Sequence, residues 1–291
     1  MIIGAAGTFV TLARRRLLAL YPHSFSLAAA AFAVTAVACF AGAERVPFNA
    51  LEIAWNPAQL LGLGAIYALL FIPFFCAATA LCVAYAAFAG DVARLYGADI
   101  VGAGLGSLGL LAILFVLHPA DALRVILALG FAAAALAAWP EARRRAVVFA
   151  LVALGGPWLL PASALELVPS DYKDLRQALR VKDARVVAQR FSPLGVVTVV
   201  DSPLAPLRHA PGLSLNAAAG PPPQFGLFID GQAAGALTRY DGDLAPLGYL
   251  ADTTAALPYR LLDHPRVLVL GAGAGGDVLQ ALVHGDRKSV V

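Results

Sequence analysis

Residues 265–282 read Pro-Arg-Val-Leu-Val-Leu-Gly-Ala-Gly-Ala-Gly-Gly-Asp-Val-Leu-Gln-Ala-Leu, and the end of the chain is read from this stretch. Residues 267–270 are a short, wholly apolar, β-rich run. Such a run predicts a strand buried on both faces, as in a parallel sheet. Gly271, Gly273 and Gly276 follow at once, with an additional Gly275. Asp277 then opens an amphipathic helix, with Val278, Leu279 and Leu282 at helical spacing. Strand, glycine loop and helix together are the context in which a G-x-G-x-x-G pattern points to a nucleotide-type ligand. Glycines let the backbone turn sharply and let a ligand approach without meeting a Cβ. The unpaired N–H groups of the first helical turn then face that ligand. A tight βα turn that binds nothing fits the same residues.

Asp277 bears on the kind of ligand. A carboxylate at the start of the helix repels a pyrophosphate. It suits a ligand with a cationic amine, such as the methionyl part of S-adenosylmethionine. A plain N-cap role explains Asp277 as well.

Working outward, the composition changes the setting. The chain of 291 residues is 60% hydrophobic and 13% charged, far from soluble averages, and predicts membrane spans. The net charge of +3 gives no sign of a nucleic-acid partner. Four apolar segments, residues 24–43, 60–89, 100–117 and 122–138, approach or exceed the ~20 residues a bilayer needs. Residues 1–13 are apolar and end at Arg14, Arg15 and Arg16. A signal peptide carries its basic charge before the apolar run, so this reads as the tail of a membrane helix whose front is missing. Residues 44–58 form a polar loop with Glu44, Arg45, Glu52 and the interface-type Trp55. Asp91 and Arg94 mark another loop, and Asp99 a solvated start of the third span. Gly102, Gly104, Gly106 and Gly109 predict close helix–helix approach there. Cys39, Cys76 and Cys82 lie in apolar segments and read as small core residues. The histidines show no metal-ligand spacing.

Residues 162–190 mix charged and apolar residues and predict an aqueous, helical linker. Residues 195–200 are a β-branched strand, and Asp230-Gly231 is a hairpin turn signal within residues 225–237.

Three stretches carry a resemblance: RVLVLGAGAGGDVLQALVHG (residues 266–285), RLYGADIVGAGLGSLG (94–109) and YALLFIPFFCAATAL (67–81). They resemble the membrane-attached spermidine synthase-like branch of the class I S-adenosylmethionine-dependent methyltransferase superfamily. Soluble spermidine synthases carry an Asp inside the glycine loop, where this chain has Ala274. The resemblance implies a helical membrane domain over residues 1–162, a linker over 163–190 and a small β domain over 191–262. It implies that residues 263–291 begin a Rossmann-like nucleotide-binding domain, as its first βα unit, truncated. The implied cofactor is S-adenosylmethionine or its decarboxylated form, held by Gly271, Gly273, Gly275, Gly276 and Asp277. The implied activity is aminopropyl or methyl transfer to an amine or another small acceptor. The acidic and tyrosine motif that grips the amine in that family is not recognisable between Tyr249 and Tyr259, and no catalytic residue is assigned. The acid expected about 20 residues after the first glycine is not found, and Ser289, Val290 and Val291 read as the first residues of a second strand. The fragment is therefore expected to be inactive by itself. A dinucleotide-binding module on a membrane bundle, and a non-enzymatic transporter-like or assembly protein, are the rival readings.

Topology completes the expectations. The arginine triplets 14–16 and 143–145 should both face the cytoplasm of an inner-membrane, multi-pass protein. Residues 147–160 have only about 14 apolar positions, below the ~17 of a short span, and contain Gly155, Gly156 and Pro157. They are expected to lie in the interface or re-enter, leaving the C-terminal domain cytoplasmic.

Overall fold

In the computed structural model, which describes residues 2–161, 165, 169–262 and 265–285, the chain divides into two units, residues 1–168 and 169–291. The first unit is helical: α1 (Ile2–Leu12), α2 (Arg14–Ala19), α3 (His23–Ala43), α4 (Ala58–Ala87), α5 (Val92–Leu114), α6 (Pro119–Ala138) and α7 (Arg143–Leu159). Four of them, α3 to α6, are long and apolar enough to cross a membrane. In hydrocarbon the backbone must satisfy its own polar groups, so uncharged apolar runs of this length become helices.

The core of this unit is built from small side chains. Ala29, Ala30, Ala33 and Val37 of α3 meet Leu127, Phe131 and Ala134 of α6, and Leu165 joins them. Gly130 sits at the closest approach. A Cβ there would lie 2.7 Å from the Ala33 Cβ and 3.4 Å from the Ala29 carbonyl oxygen. The glycines expected to mediate close packing behave differently. Around Gly102, Gly104, Gly106 and Gly109 an added Cβ would meet nothing within 4 Å, and α5 has no buried residue. Small residues permit close approach, but a partner helix must supply the contact.

The third span also begins earlier than its apolar run. Asp91 is the N-cap of α5, so Arg94 is helical rather than a loop residue, and Asp99 lies inside the helix rather than at its start. The Tyr85 hydroxyl of α4 donates to Asp99 Oδ2 at 3.3 Å, so Asp99 is tied to a neighbouring helix rather than simply solvated. The polar loop 44–58 is a hydrogen-bonded knot. Asn49 Nδ2 and Gln59 Nε2 both donate to the Glu52 carboxylate, at 3.0 Å each, and the Asn49 N–H donates to Gln59 Oε1 at 2.8 Å.

Residues 147–159 belong to the continuous 17-residue helix α7, and Leu160 is its C-cap. Phe149 of α7 packs on Phe131 of α6, with ring centroids 5.9 Å apart. At the far end Arg124 Nη2 donates to the Leu160 carbonyl at 3.1 Å. Arg124 also pairs with Asp121 at 2.6 Å, near the start of α6. So α7 runs antiparallel along α6 and ends level with its first turns. The Gly155-Gly156-Pro157 run does not break it. Pro157 lies in the last turn, and Gly156 faces Leu127 of α6.

The second unit holds a four-stranded antiparallel sheet in the order β1 (Arg185–Ser192), β2 (Gly195–Asp201), β3 (Gln224–Ile229), β4 (Gln232–Thr238). The hairpin at Asp230-Gly231 forms as its residues require, with φ of 49° and 79°. The linker reading of residues 163–190 is corrected. Among its described residues Asp174–Ala178 is the helical stretch (α8), and Arg185 onward is the edge strand β1. Most of β1 is exposed, so no alternation of apolar residues announced it. Its pairing with β2 holds it instead. α8 is stitched to the hairpin: Leu175 N–H donates to the Gly231 carbonyl at 3.0 Å, and Ala233 N–H to Asp174 Oδ2 at 2.8 Å. Two short helices, α9 (Leu257–Leu261) and α10 (Gly276–Val283), follow. Residues 289–291, read as the start of a further strand, lie outside the described residues.

Gly130→Val is expected to destabilise the helical unit by about 1–3 kcal/mol, the cost of forcing bulk into a filled contact. Gly104→Ala should change stability by less than about 0.5 kcal/mol. Unfolding of the detergent-solubilised protein by a denaturing detergent measures both. Equal stability of Gly130→Val and the parent would show that α3 and α6 do not meet there.

Candidate functional site

The glycine loop takes its shape from three left-handed residues in alternation. Gly271, Gly273 and Gly275 have φ of 75°, 52° and 83°. A Cβ would strain the backbone at each of these positions. The Gly275 N–H closes a turn onto the Ala272 carbonyl at 2.7 Å. Gly275 is then the N-cap of α10, and having no side chain it offers no capping hydrogen bond. Asp277 is therefore not the cap. It lies inside the first turn, exposed, and no ion pair or hydrogen bond of its carboxylate occurs among the described residues. A carboxylate in a first helical turn is favoured by the helix dipole without any direct bond.

The segment before the loop differs from the expected strand. Only Leu268 makes a bridge. Val269 is 7% exposed, but Leu268 and Leu270 are 64% and 84% exposed. A strand buried on both faces needs neighbours and covering helices, and the described residues place no parallel strand beside this one.

What holds the site is the apolar side of α10, with Leu279 and Leu282 as the helical spacing predicts and with Gln280, which the sequence reading did not single out. Leu279 packs with Leu247, Tyr249 and Leu250, and Leu282 and Val283 flank this cluster. Gln280 is 3% exposed. Its Nε2 donates to the Leu250 carbonyl at 2.9 Å, and its Oε1 accepts from the Thr253 hydroxyl at 3.3 Å. His284 Nδ1 meets the Gln280 carbonyl at 2.8 Å, and its ring stacks on Tyr259 with centroids 4.6 Å apart. A glutamine on the apolar side of an amphipathic helix was the available signal, since a buried amide demands partners. On the loop side, an added Cβ at Gly235 of β4 would lie 3.7 Å from the Ala274 Cβ. Loop and helix thus rest on the 3-10 segment Ala245–Asp252 and on β4.

Gly271, Gly273, Gly275 and Gly276 consequently form one open surface. An added Cβ at Gly271, Gly275 or Gly276 would meet nothing within 4 Å. Such a surface can admit a ligand against the backbone, with the free N–H groups of the first turn as donors and Asp277 as an anion beside them. The described residues contain no cluster of His, Cys, Asp or Glu able to hold a metal ion. Comparison with protein families, with curated proteins and with solved structures gives no match.

Gln280→Leu removes both amide bonds and leaves the Leu250 carbonyl and the Thr253 hydroxyl without this partner. A loss of about 1–3 kcal/mol is expected. Hydrogen exchange over α10 should speed accordingly, while the β3–β4 hairpin keeps its protection. Unchanged exchange in α10 would mean that Gln280 does not anchor the helix.

Proposed function

We propose that the glycine loop binds S-adenosylmethionine or its decarboxylated form, and that the protein is a membrane-attached transferase of the spermidine synthase-like kind. One observation carries the reading: three left-handed glycines lead into a helix with no side-chain cap, whose first turn presents a carboxylate with no partner among the described residues. Gly271, Gly273, Gly275 and Gly276 give the ligand backbone access, and Asp277 answers its cationic end. The loop is the first turn of a Rossmann-like arrangement. A small-molecule amine, or another small acceptor, receives an aminopropyl or methyl group. The chain's own residues bind and orient the ligand, and no proton-transferring group is assigned.

Gly276 gives a clean test. Its φ is not left-handed and the space around it is open, so Gly276→Val should fold. Calorimetry with S-adenosylmethionine and with the decarboxylated form should show affinity falling at least about tenfold, a loss of ~1.4 kcal/mol. Gly273→Val, strained as well as obstructed, should bind neither ligand. Unchanged affinity in a folded Gly276→Val protein overturns the reading.

A second reading, a non-enzymatic membrane protein, is favoured by the course of α7. An S-adenosyl ligand is made inside cells, so the transferase reading needs residues 169–291 in the cytoplasm, on the inner face of the cell membrane. The arginine triplets favour the cytoplasmic side for their own end of the bundle. Yet α7 carries the chain from Arg143 to Leu160, level with Arg124 at the opposite end. Its 17 residues rise about 25 Å, against a hydrocarbon core of roughly 30 Å. Reporter fusions after Trp139 and after Leu165 separate the two readings. The transferase reading expects a fluorescent protein to shine after Leu165 and alkaline phosphatase to be silent there. An active phosphatase at that position transfers the weight to the non-enzymatic reading.

A further inference from the structure

The helical unit gathers two arginine triplets, far apart in sequence, at one end. Arg14, Arg15 and Arg16 form the first turn of α2, and Arg143, Arg144 and Arg145 the first turn of α7. His23, the first residue of α3, links them. Arg145 Nη2 lies 2.8 Å from His23 Nε2, and the Ser24 hydroxyl donates to the Leu17 carbonyl of α2 at 2.9 Å. Guanidinium only donates, so the imidazole accepts through Nε2. Tyr21 packs edge-on to Phe88, just after α4, at 5.3 Å, bringing the turn before α5 to the same end.

Charge at this end is unbalanced. Arg94 joins the two triplets, and the acids of the connecting turns are Asp91 and Glu141. None of these arginines forms an ion pair among the described residues, whose salt bridges all involve Arg124, Arg176, Arg180, Arg185 or Arg260. The helices do not neutralise the triplets either, because a first turn adds positive potential. The opposite end differs: Glu44, Glu52 and Asp121 accompany Arg45 and Arg124 there. Arg143 lies over the ring of Trp139, 5.7 Å from its centroid. Trp139 is half exposed, as suits an aromatic at headgroup depth.

We infer that this end is a recognition surface for anionic phospholipid headgroups, centred on Arg143, Arg144, Arg145 and His23. Guanidinium matches a phosphate in charge and geometry. The cluster lies beside the start of α3 and the end of α6, two helices long and apolar enough to cross a membrane, where a spanning bundle would meet lipid phosphates. Juxtamembrane arginines of this kind draw anionic lipid electrostatically. The inference is independent of any ligand at the glycine loop.

Trp139 reports on it directly. Of the three tryptophans, Trp55 and Trp158 belong to the opposite end. Full-length Trp55→Phe/Trp158→Phe protein is reconstituted in phosphatidylcholine vesicles carrying either brominated phosphatidylglycerol or brominated phosphatidylcholine. The anionic lipid should quench Trp139 at about a fivefold lower mole fraction. That preference should vanish as salt rises from ~50 to ~500 mM, because the charges are exposed. Arg143→Gln/Arg144→Gln/Arg145→Gln should lose the preference, and Arg45→Gln, at the other end, should keep it. Equal quenching by the two lipids overturns the inference, as does a salt-insensitive preference. Relief of quenching by inorganic phosphate at constant ionic strength also overturns it, since the arginines would then serve a free anion. The salt series needs no arginine variant, so it decides the matter even if the triple variant fails to insert.

Discussion

The approach of α3 to α6 at Gly130 and Ala33 is the constraint on which the helical unit depends. With no side chain at Gly130, the two backbones come close enough for Ala29 and Ala33 to serve as core residues. In a bilayer no solvent drives apolar helices together, so association rests on contact density and on interhelical hydrogen bonds. Once α6 is fixed, α7 is placed by it: Phe149 packs on Phe131, Gly156 lies against Leu127, and Arg124 closes the far end on Leu160. α5 receives none of this, and its glycines stay uncovered.

The second unit is organised by a turn. Asp230 and Gly231 fold back with positive φ, and Asp230 Oδ1 accepts the Val196 N–H from β2 at 2.8 Å. One side chain thereby ties the hairpin to the neighbouring strand, in the space that Gly195 leaves open. α8 hangs on the same turn through Leu175 and Asp174. Beyond β4, the 3-10 segment supplies Leu247, Tyr249 and Leu250, against which α10 docks. The glycine loop is thus held from behind by a buried amide and leucine contacts, while its front stays open. That division suits binding, because a site that must admit a ligand cannot also be packed.

Function and topology pull in different directions here. The loop has three left-handed glycines and an open front, and the proposed ligand rests on these. α7 carries the chain antiparallel along α6, from Arg143 to Leu160 beside Arg124. Both facts are physical: one is a matter of φ angles and open space, the other of helix packing. They meet only through the availability of an S-adenosyl ligand inside the cell.

The spans, the hairpin and the glycine loop were legible in the sequence, because each arises from local chemistry. Uncharged runs near 20 residues must be helical in lipid, Asp-Gly selects a tight hairpin turn, and alternating glycines allow left-handed turns. Contacts between distant residues were decided by the tertiary structure alone. Nothing local distinguishes Gly130, which touches Ala33, from Gly104, which touches nothing, since a glycine is small in either place. Asp99 reads as a solvated helix start until Tyr85 reaches it, and only the fold lays α7 along α6 and brings Leu160 to Arg124. Strand β1 stayed hidden because an exposed edge strand is specified by its partner's hydrogen bonds rather than by its own side chains. Gln280 showed the same limit. Its residue type signalled that partners were needed, and only the fold brought Leu250 and Thr253 within reach.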